Sequence, residues 1–116
     1  MSFCNMQELW NNIDIAIVGI GDINAISLLE KEFGEKGSYK ISVSDIATHT
    51  FDKNGNISGN DNFTLSASIE NIKNSKMVVG VAYGKEKIDA ITSALKAGII
   101  THFITDEYTA KLLIKG

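Results

Sequence analysis

The stretch Ile13-Asp14-Ile15-Ala16-Ile17-Val18-Gly19-Ile20-Gly21-Asp22 decides the fold. Ile13 to Val18 is nearly all apolar, which suits a strand of a parallel sheet covered on both faces. Gly19-Ile20-Gly21-Asp22 ends that strand, and Ala25 to Phe33 reads as a helix with Gly34 as its C-cap. A second buried strand, Met77-Val78-Val79-Gly80-Val81-Ala82, turns at Tyr83-Gly84 into another helix. Ile88, Ala90, Ile91, Ala94 and Leu95 form the apolar stripe of that helix, and Gly98 ends it. His102 to Thr105 is a third short strand. Asp106 to Ile114 is a closing helix, with Tyr108, Leu112 and Leu113 available to pack. Strand and helix alternating three times predict βαβ units, a parallel sheet and right-handed crossovers.

The remaining segments fit around this frame. Phe3 to Asn11 is weakly helical, with Phe3, Met6 and Trp10 on one face. Gly34 to Ser38 is a loop, and Ile41 to Phe51 is extended. Asp52-Lys53-Asn54-Gly55-Asn56 is a turn, because Asn-Gly accepts the positive φ angles that tight hairpins need. Ile57 to Ala67 is polar and reads as loop with a short strand. Ser68 caps a short helix through Asn74, with Ile69 and Ile72 inward. The class is α/β, with a β-hairpin inserted into a mainly parallel sheet, in one domain over residues 1–116.

Composition narrows the function. Hydrophobic residues make up 44% and charged residues 22%, as in globular domains. The net charge of −3 argues against direct contact with DNA by this segment, since phosphate neutralisation supplies most non-specific affinity. All 11 basic residues are Lys, so bidentate guanidinium contacts are absent. The single cysteine, Cys4, excludes an intramolecular disulfide and reads as an incidental thiol. No signal-like segment or membrane-length apolar run occurs, so a soluble cytoplasmic chain is expected. The sequons at Asn56 and Asn62 would matter only in a secreted protein.

Ligands of open α/β sheets bind beyond the carboxyl ends of the strands. Three loops occupy those ends here. In the first, Gly19, Gly21 and Asp22 form either a ligand-contacting loop or a tight turn capped by Asp22 or Asn24. A dinucleotide fingerprint would need a third glycine where Asn24 stands, so no cofactor is expected. In the second, Gly84 opens a helix with Lys87 in its first turn. That is a phosphate or carboxylate site, or simply a surface lysine on an amphipathic helix. In the third, Asp106 and Glu107 are either a catalytic carboxylate pair or, more simply, first-turn acids with Thr105 or Asp106 as cap. Asp52 to Asn56 lacks the glycine and glutamate spacing of a calcium loop, and His49 and His102 have no metal-ligand spacing. No catalytic constellation emerges, and no metal site is expected.

The ordered motifs resemble the SorC-type sugar-binding regulators. Ile13 to Gly21 is similar to the family's "D-I-A-L-V-G-I-G", and Ser44-Asp45-Ile46 with Phe51-Asp52 and Gly55 to "G-D-I…F-D…G". Met77 to Lys87 is similar to "V-V-A-V-A-G-G-x-x-K", continued by Ala90 to Leu95, and Thr105 to Leu113 to "T-D-E-A-T-A-x-x-L-L". The match spans most of residues 12–114 and corresponds to the second half of the family's effector-binding domain. The front half, with its own phosphate loop, and the helix-turn-helix are not in this sequence. The resemblance implies a Rossmann-like sheet related to sugar-phosphate isomerases and glucosamine-phosphate deaminases. It also implies a phosphorylated sugar as effector, a homo-oligomer, and DNA contact only through the helix-turn-helix. Gly84, Lys87, Asp106 and Glu107 carry over from the family pattern. Tyr83 stands where the family has the first Gly of Gly-Gly, and Asp61-Asn62-Phe63 where it has Asn-Asp-Arg. Two other readings stand beside this one: a small sugar-phosphate isomerase-like enzyme, and a dimerisation module that no longer binds a ligand.

Overall fold

The computed structural model describes residues 3–33, 41–58 and 67–115. The loop at Gly34 to Ser38, Asp61-Asn62-Phe63, and the side chains of Phe3 and Cys4 lie outside what is described. The elements run α1 (Phe3–Asn11), β1 (Ile15–Gly19), α2 (Ile23–Phe33), β2 (Ser44–Ile46), β3 (His49–Phe51), β4 (Ile57–Ser58), α3 (Ile69–Lys73) and β5 (Met77–Val81). A 3-10 turn (Lys85–Lys87) then leads into α4 (Ile88–Lys96), followed by β6 (His102–Ile104) and α5 (Glu107–Lys115).

Two sheets result. The first is parallel, in the order β1-β5-β6, with Ile15 opposite Met77 and Gly19 opposite Val81. The second is antiparallel, in the order β2-β3-β4. The three strands expected to be parallel are the three that form the first sheet. The inserted hairpin builds a sheet of its own. Ser68 accepts from the Asn71 amide and Asn71 reaches back to the Ser68 amide, so α3 starts with the expected cap.

Among the described residues, the parallel sheet is covered on one face only. Residues paired in register share a face, so Ile15, Ile17, Met77, Val79, Val81 and Ile104 line one side. Ile17 is 75% exposed and Ile15 57%. The other side carries Ala16, Val78 and Ala82, which pack with Ala90, Ile91 and Ala94 of α4 in the core. The expectation that β1 is buried on both faces is thus corrected: an apolar run shows that both faces suit apolar contact, not that both are covered.

The hairpin sits on the covered side, held by a buried hydroxyl pair. Ser93 of α4 donates to the Asp52 carbonyl at 2.5 Å, and Ser44 and Ser93 hydroxyls lie 2.7 Å apart. A hydroxyl has one proton, so Ser44 must be the donor to Ser93. Ser93 thus takes a buried place on α4, whereas Leu95 is 38% exposed. Tyr108 is exposed, and the buried α5 residue is Thr109.

The extended segment Ile41 to Phe51 contains a reversal that the sequence does not announce. Ala47 and Thr48 join β2 to β3 with φ of 50° and 72°. Both residues lack the usual tolerance for positive φ, and Thr is β-branched. The Asn54-Gly55 turn is present as read, joining β3 to β4 with Gly55 at φ 85°. A Cβ on Gly55 would lie 2.5 Å from the Ala97 nitrogen and the Lys96 carbonyl carbon, both backbone atoms. Gly55→Ala is therefore expected to cost about 1–3 kcal/mol in urea unfolding. A loss below about 0.5 kcal/mol would show that the turn and α4 move apart freely.

Candidate functional site

The carboxyl ends of β1 and β5 meet because the strands pair in parallel. Ile20 and Gly21 follow β1, and Ala82 to Lys87 follow β5. Lys87 reaches between them: its Nζ donates to the Ile20 carbonyl at 3.1 Å. An ammonium has three donors, so one bond to a carbonyl leaves it able to meet an anion. Lys87, Glu86, Tyr83, Ala82 and Val81 line a notch of about 250 Å³. Glu86 also borders a neighbouring depression of about 340 Å³, shared with Asp22, Asn24, Val43 and Asp89. A larger depression of about 610 Å³ lies along α1 at Asn5, Glu8, Leu9 and Asn12. It is walled by one helix, and no strand end points groups into it.

The first loop is a turn with committed backbone. The Gly21 amide donates to the Asp45 carbonyl at 2.7 Å, and the Asp45 amide to the Gly21 carbonyl at 3.0 Å. This bridge stitches the hairpin sheet to the end of β1. Asp22 is the cap of α2: its Oδ1 accepts from the Asn24 amide at 3.0 Å. A Cβ on Gly19 would meet nothing within 4 Å, so no close approach requires that glycine.

The second loop is tied to the third. Gly84 adopts φ 117°, where its missing Cβ avoids the Glu86 carboxylate. Its amide donates to Thr109 Oγ1 at 2.9 Å. Thr109 in turn gives its backbone amide to Asp106 Oδ1 at 2.7 Å. Hydrogen bonds from the Thr109 side chain, then from its backbone, hold the Asp106 carboxyl below its ordinary range. Asp106 is therefore the cap of α5, and Glu107 forms an exposed i,i+4 pair with Lys111 at 3.0 Å. Gly19, Gly21, Asp22, Gly84, Lys87, Asp106 and Glu107 all lie at the carboxyl edge of the sheet, but most of them build the loops. Of these, Lys87 lines the notch and Asp22 the neighbouring depression.

Asp45 is the residue that sequence reasoning did not select for the site. It stands opposite Gly21 in the bridge, and its Oδ1 is buried with no hydrogen-bond partner among the described residues. Burial raises its carboxyl above the ordinary value of 3.8. A hydrogen bond from the Thr48 backbone amide and the nearby His49 oppose this less strongly. An acid in the middle of a strand was the available signal, because Asp is disfavoured there. Among the described residues, no group of three or more His, Cys, Asp or Glu could hold a metal, and no helix is long and apolar enough to cross a membrane.

This arrangement is a cleft at the strand ends of an α/β sheet, the edge at which such folds bind their ligands. The family model Sugar-bind, a sugar-binding domain, matches residues 2–115, and the chain belongs to that family. The sorbitol operon regulator of Klebsiella pneumoniae is 27% identical over 121 residues, covering 97% of this chain and 38% of the regulator. The erythritol catabolism regulatory protein EryD of Brucella abortus (strain 2308) is 37% identical over 112 residues, covering 87% of this chain and 34% of EryD. The crystal structure of full-length SorC from Klebsiella pneumoniae superposes with a TM-score of 0.80 at 26% identity, over 97% of this chain and 38% of that one. The chain thus spans little more than a third of the length of these relatives. It is a sugar-binding domain of the kind carried by SorC-type transcriptional regulators.

Asp45 allows a stability test with a definite sign. The folded state holds its proton at pH values where the unfolded chain has lost it, so ionisation costs stability. That cost is absent below 3.8 and complete above the folded pKa. Asp45→Asn is therefore expected to stabilise the fold at neutral pH and to lose that advantage in acid. Urea melts at the two extremes measure it, and an equal gain at both would remove the assigned cause.

Proposed function

We propose that residues 1–116 are the ligand-sensing part of an effector-binding domain whose effector is a phosphorylated sugar. The observation that carries this reading is Lys87, held across the ends of β1 and β5 and lining an open notch. The Lys87 ammonium takes the phosphate, and Gly84 sets the turn that aims it. Asp22 and Glu86, which line the adjoining depressions, accept from sugar hydroxyls. Gly19 and Gly21 shape the first loop. Asp106 and Glu107 act through the loop they hold, without direct contact.

The protein is a sensor rather than an isomerase in this reading, since the relatives are named as regulators. Ligand binding is coupled to operator affinity elsewhere in a regulator, and such coupling is reciprocal in free energy. The acidic segment itself makes no DNA contact and works in the cytoplasm. The uncovered apolar face of the parallel sheet supports self-association. Purified alone, this chain has only a second copy with which to cover Ile15, Ile17 and Ile104.

Two experiments test the reading. A thermal-shift screen against phosphorylated sugars and their parent sugars should show stabilisation by the phosphorylated form only. With that ligand, Lys87→Ala is expected to lose about 1 kcal/mol or more in titration calorimetry, since a charge-assisted contact is removed. Unchanged affinity would remove Lys87 from the site. In sedimentation velocity, the wild type is expected to associate with rising concentration and Ile17→Lys to stay monomeric. A monomeric wild type would exclude the sheet face as a self-contact.

A further inference from the structure

The notch beside Lys87 has an aromatic wall. Tyr83 follows Ala82 at the end of β5 and is 66% exposed, while Ala82 is buried. A single exposed aromatic residue is ordinary. This one shares its depression with an ammonium, Lys87, and a carboxylate, Glu86. Those three groups complement the three kinds of surface on a phosphorylated sugar: the anion, the hydroxyls and the C–H face. An aromatic face is electronegative and attracts polarised C–H bonds. Small-ligand sites commonly combine one such apolar wall with a few polar groups that fix orientation. Tyr83 also borders Gly84, whose φ of 117° is a conformation that L side chains rarely adopt. The ring therefore stands at a turn whose path is constrained, four residues before the lysine that reaches to Ile20.

We propose that Tyr83 is a specificity-determining residue, the platform on which the C–H face of a ring-form sugar phosphate stacks. The site then selects cyclic over open-chain sugar phosphates. A closed ring presents a flat C–H patch ready-made. An open-chain polyol must freeze several rotors to present the same patch, and ordering costs affinity. This inference rests on the phosphorylated-sugar reading of the same cleft.

The test uses two probes that differ by one ring closure: 1,5-anhydroglucitol 6-phosphate and open-chain glucitol 6-phosphate. Each is titrated calorimetrically into the wild type, Tyr83→Gly and Tyr83→Phe. The wild type is expected to bind the ring-locked probe about fivefold tighter or more, as aromatic stacking allows. Tyr83→Gly brings the ratio to about one, and Tyr83→Phe, which keeps the ring, preserves it. Melting curves of both variants establish that they fold. Equal binding of the two probes by the wild type, or a preference that survives in Tyr83→Gly, overturns the inference while leaving the sensor reading standing. Binding of neither probe, together with no thermal shift from any phosphorylated sugar in the screen, overturns both.

Discussion

The parallel pairing of β1 with β5 is the constraint on which the rest depends. It joins strands far apart in sequence, with Ile15 opposite Met77 and Val18 opposite Gly80. Parallel pairing puts both carboxyl ends at one edge. That edge is where the Ile20 carbonyl meets Lys87, and where the notch and the neighbouring depression open. Without this register the two loops would be unrelated surface turns. β6 extends the same logic: Gly84 after β5 is hydrogen-bonded to Thr109 in α5, so the third loop props the second.

The inserted hairpin is a second clamp on that edge. Its Asp45 backbone is bridged to Gly21, and its turn rests on the end of α4. Ser44 and Ser93 satisfy each other in the core, so the hairpin is fixed by polar groups that have no water to compete. The cost falls at Ala47 and Thr48, held at positive φ, and at the half-buried Asp45 carboxyl. Strain and desolvation of this kind persist where surrounding structure over-determines the geometry.

The parallel sheet also has one face that the described residues leave largely uncovered. On it Ile15, Ile17, Val81 and Ile104 are apolar, in register and exposed, beside the half-buried Met77 and Val79 and the exposed His102. Tyr83 lies where this face meets the carboxyl edge.

The sequence by itself determined the elements and much of their arrangement. Apolar runs at Ile13 to Val18 and Met77 to Ala82, and helical spacing in Ile88 to Leu95, are local patterns that burial imposes directly. Ser68 and Asn54-Gly55 were legible because caps and turns depend on a few adjacent residues. The loops of the candidate site could be located, since strand ends follow from strand order. The Asp22 and Asp106 caps are local contacts and were among the readings the sequence offered. The longer-range partners of the loops were decided only by tertiary structure: Gly84 gave its amide to Thr109, and Gly21 gave its amide to Asp45 across a bridge between sheets. The Ala47-Thr48 reversal and the uncovered face of β1 also lay beyond local reading. The reason is common to all of these: a residue's own chemistry states which partners it can accept, but long-range packing decides which partner arrives.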